Sequence, residues 1–216
     1  MKDRFDLIVF DWDGTLMDSE RKIVRCFEMA CRDVNVVYPG DAAVRAIIGL
    51  GLREAVDRLL PGEDDAIIDQ VTEAYRDHFL VHDKTEMEFF PGVLDGLKQL
   101  EGHGYMLAVA TGKARRGLKK LLDEWQLHDQ FVATRCADEA FSKPHPKMLE
   151  DILGQTGVAS NRAIMIGDTT FDMEMANNAR VAGLAVSYGV HDRDSLLKHD
   201  PVDCLDSFEE VRAWLM

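Results

Sequence analysis

Two aspartates separated by one residue, Asp11 and Asp13, follow an apolar run near the start of this 216-residue chain. The run at 7–10 carries no charge, which is typical of a strand buried inside a parallel sheet. Ligand sites of open α/β sheets lie just beyond the carboxyl ends of the strands. Two carboxylates followed by Gly14 at such a place favour a site that holds a cation and an anion together.

Three further polar features follow later apolar runs of the chain. If the strands are parallel neighbours, their carboxyl ends converge on one crevice, so these side chains would meet the two aspartates there. In chain order the features contain Thr111 with Gly112, then Lys143, then Asp168 with Asp172.

These side chains are the groups that phosphoryl transfer requires, since that reaction needs mainly positioning and charge neutralisation. A carboxylate such as Asp11 can attack phosphorus and form an aspartyl-phosphate. Asp13 could protonate the leaving oxygen and then deprotonate the attacking water. Lys143 would pair with the nucleophile and with phosphoryl oxygens, and Thr111 would donate its hydroxyl. Mg²⁺ prefers a few carboxylate oxygens, which Asp11 and Asp168 can supply.

The four motifs, DWDGT, ATGK, SKPHP and GDTTFD, resemble those of the haloacid dehalogenase superfamily in type and in order. The resemblance implies that Asp11 is the nucleophile and a magnesium ligand. It implies that Asp13 is the general acid/base and binds the metal through its backbone carbonyl. Asp168 is then the third protein ligand, and Asp172 is a supporting carboxylate or an alternative ligand.

The same resemblance implies a phosphate site made by Thr111, Gly112 and Lys143, of which Thr111 and Lys143 also count as catalytic. Several segments look like bacterial phosphoglycolate phosphatase-like proteins, whose members often act on other small phosphate esters. Trp12 stands where the superfamily more often has Leu or Phe, and we interpret this change as packing.

Periodicity predicts an α/β fold, with a Rossmann-like parallel sheet flanked by helices and an inserted four-helix domain. Residues 1–17 and 89–216 are expected to form the core, which includes a short strand at 131–133. Residues 18–88 contain only helical patterns and look like the C1 cap of the superfamily.

Within this cap a helix is predicted from about Asp41 to Ile48. Arg45 and Arg53 are weak candidates for substrate specificity, because each is more typical of a solvated helix residue. The stretches 16–19 and 86–92 would be the hinges of the cap.

The composition narrows the function further. A formal net charge of −14 argues against nucleic acid or an anionic membrane as a partner. We expect a cytoplasmic protein with reduced cysteines, because its four cysteines lack zinc-like spacing and no signal-peptide or membrane-span pattern occurs.

The leading hypothesis is a Mg²⁺-dependent phosphatase that acts on a small phosphorylated metabolite and is a monomer or homodimer. Three alternatives of the same superfamily remain, namely a phosphomutase, a pyrophosphatase and a phosphonate hydrolase that would use Lys22 of the cap. From another class, a phospho-accepting receiver domain also combines Asp, Thr or Ser, Lys and Mg²⁺ on a parallel sheet.

Overall fold

The computed structural model describes residues 4–216, so residues 1–3 of the predicted core lie outside the described part. The strands of this part are β1 (Leu7–Phe10), β2 (Met17–Asp18), β3 (Glu88–Phe89), β4 (Met106–Thr111), β5 (Ala133–Cys136), β6 (Ala163–Gly167), β7 (Ala182–Val186) and β8 (Cys204–Leu205). Six of them form a parallel sheet in the spatial order β5-β4-β1-β6-β7-β8. Strand β1 therefore lies at the centre, between β4 and β6.

Ten α-helices occur within residues 4–216, and a π-helical turn, His78–His82, directly continues the fourth. The helices are α1 (Glu20–Val34), α2 (Asp41–Arg45), α3 (Leu52–Leu59), α4 (Asp65–Asp77), α5 (Val93–Gly102), α6 (Arg115–Trp125), α7 (Lys147–Thr156), α8 (Thr170–Asn178), α9 (Arg193–Leu197) and α10 (Phe208–Leu215).

Both faces of the sheet are buried, and β1 shows how. Because side chains alternate along a strand, Ile8 and Phe10 enter one hydrophobic cluster, while Leu7 and Val9 enter another. Helices α5, α6 and α10 contribute to the first cluster, and α7 and α8 contribute to the second. The predicted α/β class with a parallel sheet flanked by helices is confirmed.

Helices α1 to α4 are inserted between β2 and β3 and pack mainly around a third hydrophobic cluster of their own. Strands β2 and β3 form a separate antiparallel pair, in which Met17 faces Phe89 and Asp18 faces Glu88. The chain thus leaves and re-enters the sheet region through two paired segments, which overlap the predicted hinges. The division into core and cap, and the hinge motion, stay predictions.

Two predicted element positions are wrong. The strand placed at 131–133 begins at Ala133, where pairing with Ala108 starts, and continues to Cys136. Phe131 is apolar because it fills the core ahead of the strand. The second helix ends at Arg45, and short turns extend from there to Gly49.

No helix of the described chain has the length and apolar character that crossing a bilayer would demand. The four cysteines, Cys26, Cys31, Cys136 and Cys204, are all buried and unbonded to one another.

Candidate active site

The predicted catalytic side chains lie together at the carboxyl edge of the three central strands. Asp11 directly follows β1, Thr111 ends β4 and Asp168 directly follows β6. All three are buried, with at most 1% of the surface of each exposed. The parallel order β4-β1-β6 brings them into one crevice, as the sequence predicts.

Lys143 reaches this crevice from the loop between β5 and α7 and is fully buried. Its Nζ lies 2.8 Å from Oδ1 of Asp11 and 2.7 Å from Oδ1 of Asp172. Burial alone would lower the pKa of Lys143, but the charges of Asp11 and Asp172 outweigh it and raise that pKa. The side chain is therefore a permanent buried cation between two carboxylates.

Burial has the opposite effect on the nucleophile candidate. It raises the pKa of Asp11 well above the usual range, and the carboxylates of Asp172 and Asp168 raise it further against the opposing charge of Lys143. Despite the short ion pair, neither oxygen of Asp11 accepts a hydrogen bond of acceptable geometry from the described residues. Such orphaned buried oxygens are costly unless another group binds them.

Asp168 is held by two donors. The hydroxyl of Thr15 donates to its Oδ1 at 2.8 Å, and the backbone N–H of Val190 donates to its Oδ2 at 2.8 Å. Burial, followed by the charge of Asp172, raises the pKa of Asp168 to about 7. Gly14 has a φ of +79°, and a Cβ atom there would lie 2.1 Å from Oδ2 of Asp168, so this turn requires glycine.

These residues fit a divalent cation. Oxygens of Asp11, Asp168 and Asp172 lie within 4.8 Å of one another, and all three residues are buried. Lys143 is the only ammonium paired with this group in the described chain, which leaves an excess of buried negative charge. Oδ2 of Asp11 has no partner among the described residues, and Oδ1 contacts only Lys143, so this carboxylate can act as a ligand. The structure therefore places Asp172 in the acidic group beside two of the predicted ligands.

Asp172 also has a structural role. Its carboxylate accepts hydrogen bonds from the backbone N–H and the hydroxyl of Thr169, and Thr169 in turn caps the N-terminus of α8. This reciprocal capping box fixes the start of the helix. The same carboxylate thus joins the helix, Lys143 and the acidic group.

Asp13 turns away from the other carboxylates. Its Oδ1 lies 2.8 Å from Nζ of Lys113 and accepts a short hydrogen bond from the hydroxyl of Ser19. Neither Lys113 nor Ser19 is among the site residues that the sequence predicts. The sequence carries little signal for this contact, because Lys113 reaches Asp13 only through the adjacency of β1 and β4 in the sheet.

Thr111 and Gly112 stand where the sequence placed them, at the end of β4. The hydroxyl oxygen of Thr111 accepts a hydrogen bond from the backbone N–H of Lys113 at 3.2 Å, which leaves its proton for another acceptor. A Cβ atom on Gly112 would lie 2.4 Å from the carbonyl oxygen of Leu50 and 2.5 Å from that of Gly49. Glycine therefore permits the loop 49–51 of the helical insertion to approach the sheet edge.

The two arginines considered for substrate specificity are engaged in ion pairs. Arg45 forms ion pairs with Glu20 and Asp41, and Arg53 forms ion pairs with Asp65 and Asp69. Both side chains are about half exposed. A cavity lies beside Asp13, and neither arginine lines it. Their proposed role in specificity receives no support from this placement.

Lys22 lies on α1, the first helix of the insertion, and not at the acidic group. Its Nζ donates to the backbone carbonyls of Asp83 and Thr85, at 3.1 and 3.4 Å. This placement weakens the phosphonate hydrolase alternative, because the amine is engaged with the return segment of the insertion.

Comparison with known proteins agrees with this site. A model of the haloacid dehalogenase-like hydrolase family matches residues 8–186. The chain belongs to the haloacid dehalogenase-like hydrolases. The resemblance found in the four motifs is thereby confirmed.

Individual relatives of this haloacid dehalogenase-like hydrolase carry phosphatase names. A protein of Dickeya dadantii named "Probable phosphatase IndB" is 38% identical over 213 residues, which cover 95% of this chain and 91% of that protein. A phosphoglycolate phosphatase of Mesorhizobium japonicum is 29% identical, over 97% of this chain and 94% of the relative. The predicted enzyme class, a phosphatase of this superfamily, is confirmed.

The fold is shared with solved members of the family. A haloacid dehalogenase-like family hydrolase from Streptococcus pneumoniae superposes with a TM-score of 0.86 at 25% identity, over 98% of this chain and 99% of that one. The likeness extends over the helical insertion as well as the sheet.

Proposed function

We propose that this haloacid dehalogenase-like hydrolase cleaves a small phosphate monoester through an aspartyl-phosphate on Asp11. The observation that carries the proposal is the state of that carboxylate. It is buried, its Oδ1 is ion-paired with Lys143, its Oδ2 has no partner among the described residues, and two further carboxylates lie beside it at the sheet edge. A nucleophile with a free oxygen beside a fixed cation suits attack on a phosphoryl group.

In the first half-reaction, an oxygen of Asp11 attacks phosphorus and the bond from phosphorus to the ester oxygen breaks. Lys143 lies within reach of the nucleophile and would neutralise charge on the phosphoryl oxygens. The hydroxyl proton of Thr111, at the neighbouring strand end, would bind one of those oxygens. The backbone at Gly112 would complete the phosphate site.

Asp13 would carry the proton in both half-reactions. It starts protonated and gives its proton to the departing alkoxide. Its carboxylate then takes a proton from a water, which attacks phosphorus, breaks the bond between phosphorus and Asp11 and releases inorganic phosphate. Lys113 and Ser19 would hold this carboxylate in the wall of a cavity between the helical insertion and the loop after β4, where the leaving group would lie. Neither contacts the phosphoryl group in this proposal, so both act as positioning residues.

Mg²⁺ is the proposed cofactor, with Asp11, Asp168 and the backbone carbonyl of Asp13 as protein ligands. Asp172 is either a fourth candidate or the partner that keeps Lys143 in place. When bound, the ion supplies positive charge next to the phosphoryl oxygens. The buried excess of carboxylates and the free oxygen of Asp11 support this assignment.

The substrate is proposed to be a small phosphorylated metabolite, as the names of the relatives suggest. Residues 18–88 would serve as the cap over a core made of 1–17 and 89–216, with the paired segments β2 and β3 as the hinge. The loop 49–51 supports a cap that covers the site, because the N–H of Gly51 donates to the hydroxyl of Ser142, beside Lys143, at 2.8 Å. Such a cap would obstruct a macromolecular substrate. A cytoplasmic monomer or homodimer completes the proposal.

The test measures phosphate release from a panel of small esters, with Mg²⁺ and with EDTA, together with acid-stable labelling of the protein by a phosphate-labelled substrate. Wild-type protein should turn over with Mg²⁺ and show transient labelling. Asp11→Asn should lose both, by at least about 10⁴-fold in turnover. Asp151→Asn, at a partly exposed carboxylate of α7 that pairs with Lys147, is the matched control and should retain both. Turnover by Asp11→Asn at the wild-type rate would contradict the covalent step.

The same labelling distinguishes the receiver-domain alternative. A receiver would hold its label for long periods with slow turnover and no ester preference. A phosphatase loses its label as soon as the ester is exhausted.

A further inference from the structure

A cavity of about 280 Å³ opens between the helical insertion and the loop that follows β4. Asp13 and Lys113 lie in its wall, whereas Asp11 and Lys143 do not. We name this space the interface cavity. Because the proposed acid/base faces it and the proposed nucleophile does not, the interface cavity would receive the leaving group rather than the phosphate.

Aromatic rings form one side of the interface cavity. Phe27 of α1, Tyr75 of α4 and Phe79 of the π-helical turn follow one another, with ring centroids 4.4 and 5.7 Å apart. Aliphatic side chains complete the apolar wall, and they include Ile23, Ile48, Leu50, Leu52 and Leu80. Such a lining favours an apolar, flat occupant, which can stack on or against the rings.

The cations of the interface cavity are already engaged or peripheral. Lys113 pairs with Asp13 and lies 4.6 Å from the ring centroid of Phe79. Arg76 pairs with Glu73. Arg116 is exposed, so it is available only at the rim.

A leaving group with a carboxylate, such as glycolate, would therefore compete with Asp13 for Lys113, since Arg76 is paired and Arg116 lies at the rim. Burying an unpaired carboxylate is unfavourable. Glycolate would also contact only a small part of the wall of this cavity of about 280 Å³.

The lining of the interface cavity also contains one neutral polar group, the hydroxyl of Tyr75. The hydroxyl of Tyr75 forms no hydrogen bond with a described residue. Burial, and after it the neighbouring Cys26 and Asp13, raises the pKa of Tyr75 well above its usual range. The hydroxyl therefore stays protonated and can donate to a polar substituent of an uncharged occupant.

We propose that the preferred substrate is a phosphate monoester whose leaving group carries an uncharged, flat ring that packs against Phe27, Tyr75 and Phe79. This inference rests on the proposed phosphatase function and narrows its substrate class. It differs from the substrate printed in the names of several relatives, because the interface cavity of this chain offers rings where an anionic leaving group needs a cation.

The experiment compares phenethyl phosphate, ethyl phosphate and phosphoglycolate as substrates of the full-length protein with Mg²⁺. Hydrolysis of phenethyl or ethyl phosphate releases a primary alcohol in either case. The ratio of their kcat/KM values therefore reports chiefly on binding of the ring. We expect kcat/KM for phenethyl phosphate to exceed that for ethyl phosphate by about 10- to 100-fold. It should also exceed the value for phosphoglycolate.

Equal values for the two alkyl esters, or a preference for phosphoglycolate, would overturn the ring inference while the phosphatase function stands. Absence of phosphate release from all three esters would overturn both. The two failures are therefore distinguishable in one assay.

Variants of Phe79 locate the preference. Phe79→Leu should lower the phenethyl-to-ethyl ratio by about tenfold, whereas Phe79→Tyr keeps a ring and should preserve the ratio. Val37→Ala, at a side chain that is 86% exposed, is the surface control and should not change it. An unchanged ratio in folded Phe79→Leu would contradict packing of the ring at this wall.

A second measurement does not depend on the folding of any variant. Phenethylphosphonate and ethylphosphonate cannot be hydrolysed through an ester oxygen, so they report binding to the wild-type protein. The ring-bearing compound should inhibit at a concentration at least about tenfold lower. Equal inhibition would count against the proposal as firmly as equal turnover.

Discussion

Nζ of Lys113 lies 2.8 Å from Oδ1 of Asp13, although the two residues follow different strands of the sheet. Both side chains are largely buried, and the hydroxyl of Ser19 donates to the same oxygen. The proposed proton carrier is thus positioned from β4 on one side and from the start of the insertion on the other. Its orientation depends on both parts of the molecule.

Removing the charge at Lys113 should impair turnover more than binding. We expect Lys113→Met to lower kcat by about 10- to 100-fold, because a hydrogen-bonded ion pair to a functional carboxylate is lost. Steady-state kinetics with ethyl phosphate measures kcat and KM separately. Lys119→Met, at an exposed lysine of α6 that pairs with Asp123, should leave both constants unchanged. A pure rise in KM for Lys113→Met would indicate substrate binding instead of positioning.

Gly112→Ala should disturb the approach of the loop 49–51. The added Cβ would lie 2.4 Å from the carbonyl oxygen of Leu50, and a backbone oxygen can move only with its loop. We expect kcat/KM to fall by at least about tenfold, which corresponds to about 1.4 kcal/mol.

Gly154→Ala is the matched control for this glycine substitution. It lies within α7 with open space at the new Cβ, and it should stabilise the protein slightly while leaving activity unchanged. Thermal unfolding of both variants separates a local clash from a general loss of stability. Wild-type kinetics in Gly112→Ala would show that the close approach has no functional consequence.

Asp172→Asn should destabilise the protein as well as reduce activity. It removes one of two carboxylates around the buried ammonium of Lys143 and weakens the capping box at Thr169. Because Lys143 keeps Asp11 as an ion-pair partner, the loss of unfolding free energy should stay below the figure of about 3–5 kcal/mol that follows when a buried charge is left unpaired. Denaturant unfolding measures this loss. The control Asp151→Asn weakens partly exposed pairs with Lys147 and Arg135 and should cost about 1 kcal/mol or less.

The acidic group should give the metal-free protein an unusual pH dependence. Burial raises the pKa of Asp11, and burial with the charge of Asp172 raises the pKa of Asp168 to about 7. Unfolded Asp has a pKa of about 3.9, so the unfolded chain releases these protons first as the pH rises. The free energy of unfolding in EDTA should therefore decrease from about pH 4 to about pH 7.

Denaturant titrations across this pH range, with EDTA and with Mg²⁺, check that sign. Asp168→Asn should flatten the decrease in EDTA, because its amide does not titrate. Added Mg²⁺ should raise the unfolding free energy most at the upper end of the range, where the carboxylates are charged. A protein in EDTA that becomes steadily more stable across the range, and does so equally with Asp168→Asn, would contradict these raised pKa values.

The sequence predicted the sheet and its strand ends well, because buried strands such as β1 and β6 are uninterrupted apolar runs followed at once by polar residues. Strands β2, β3 and β8 have two residues each, which is too short for any periodic pattern. The strand expected at 131–133 begins later than predicted. Phe131 is apolar because it packs in the core ahead of the strand, and not because it belongs to the strand. Trp12 is fully buried against Phe89 and Phe131, which confirms that its change is packing.

The site was predictable where a side chain follows its own strand directly, as Asp11, Thr111 and Asp168 do. Contacts that depend on a second element were not. The pairing of Lys113 with Asp13 needs the adjacency of β1 and β4, and the ring wall needs the packing of α1 against α4. Arg45 was considered for substrate specificity but pairs with Glu20 and Asp41, because the sequence does not indicate which neighbour a charged helix residue will contact.

The pairing of Asp18 with Glu88 has a practical consequence for protein engineering. Directly opposed residues of an antiparallel ladder have Cα atoms about 5 Å apart, so the insertion starts and finishes at almost one point. A tight turn of a few residues can close that gap. The α/β sheet could therefore be joined without the helical insertion, or receive that of a relative, through two cuts in one ladder and one short turn.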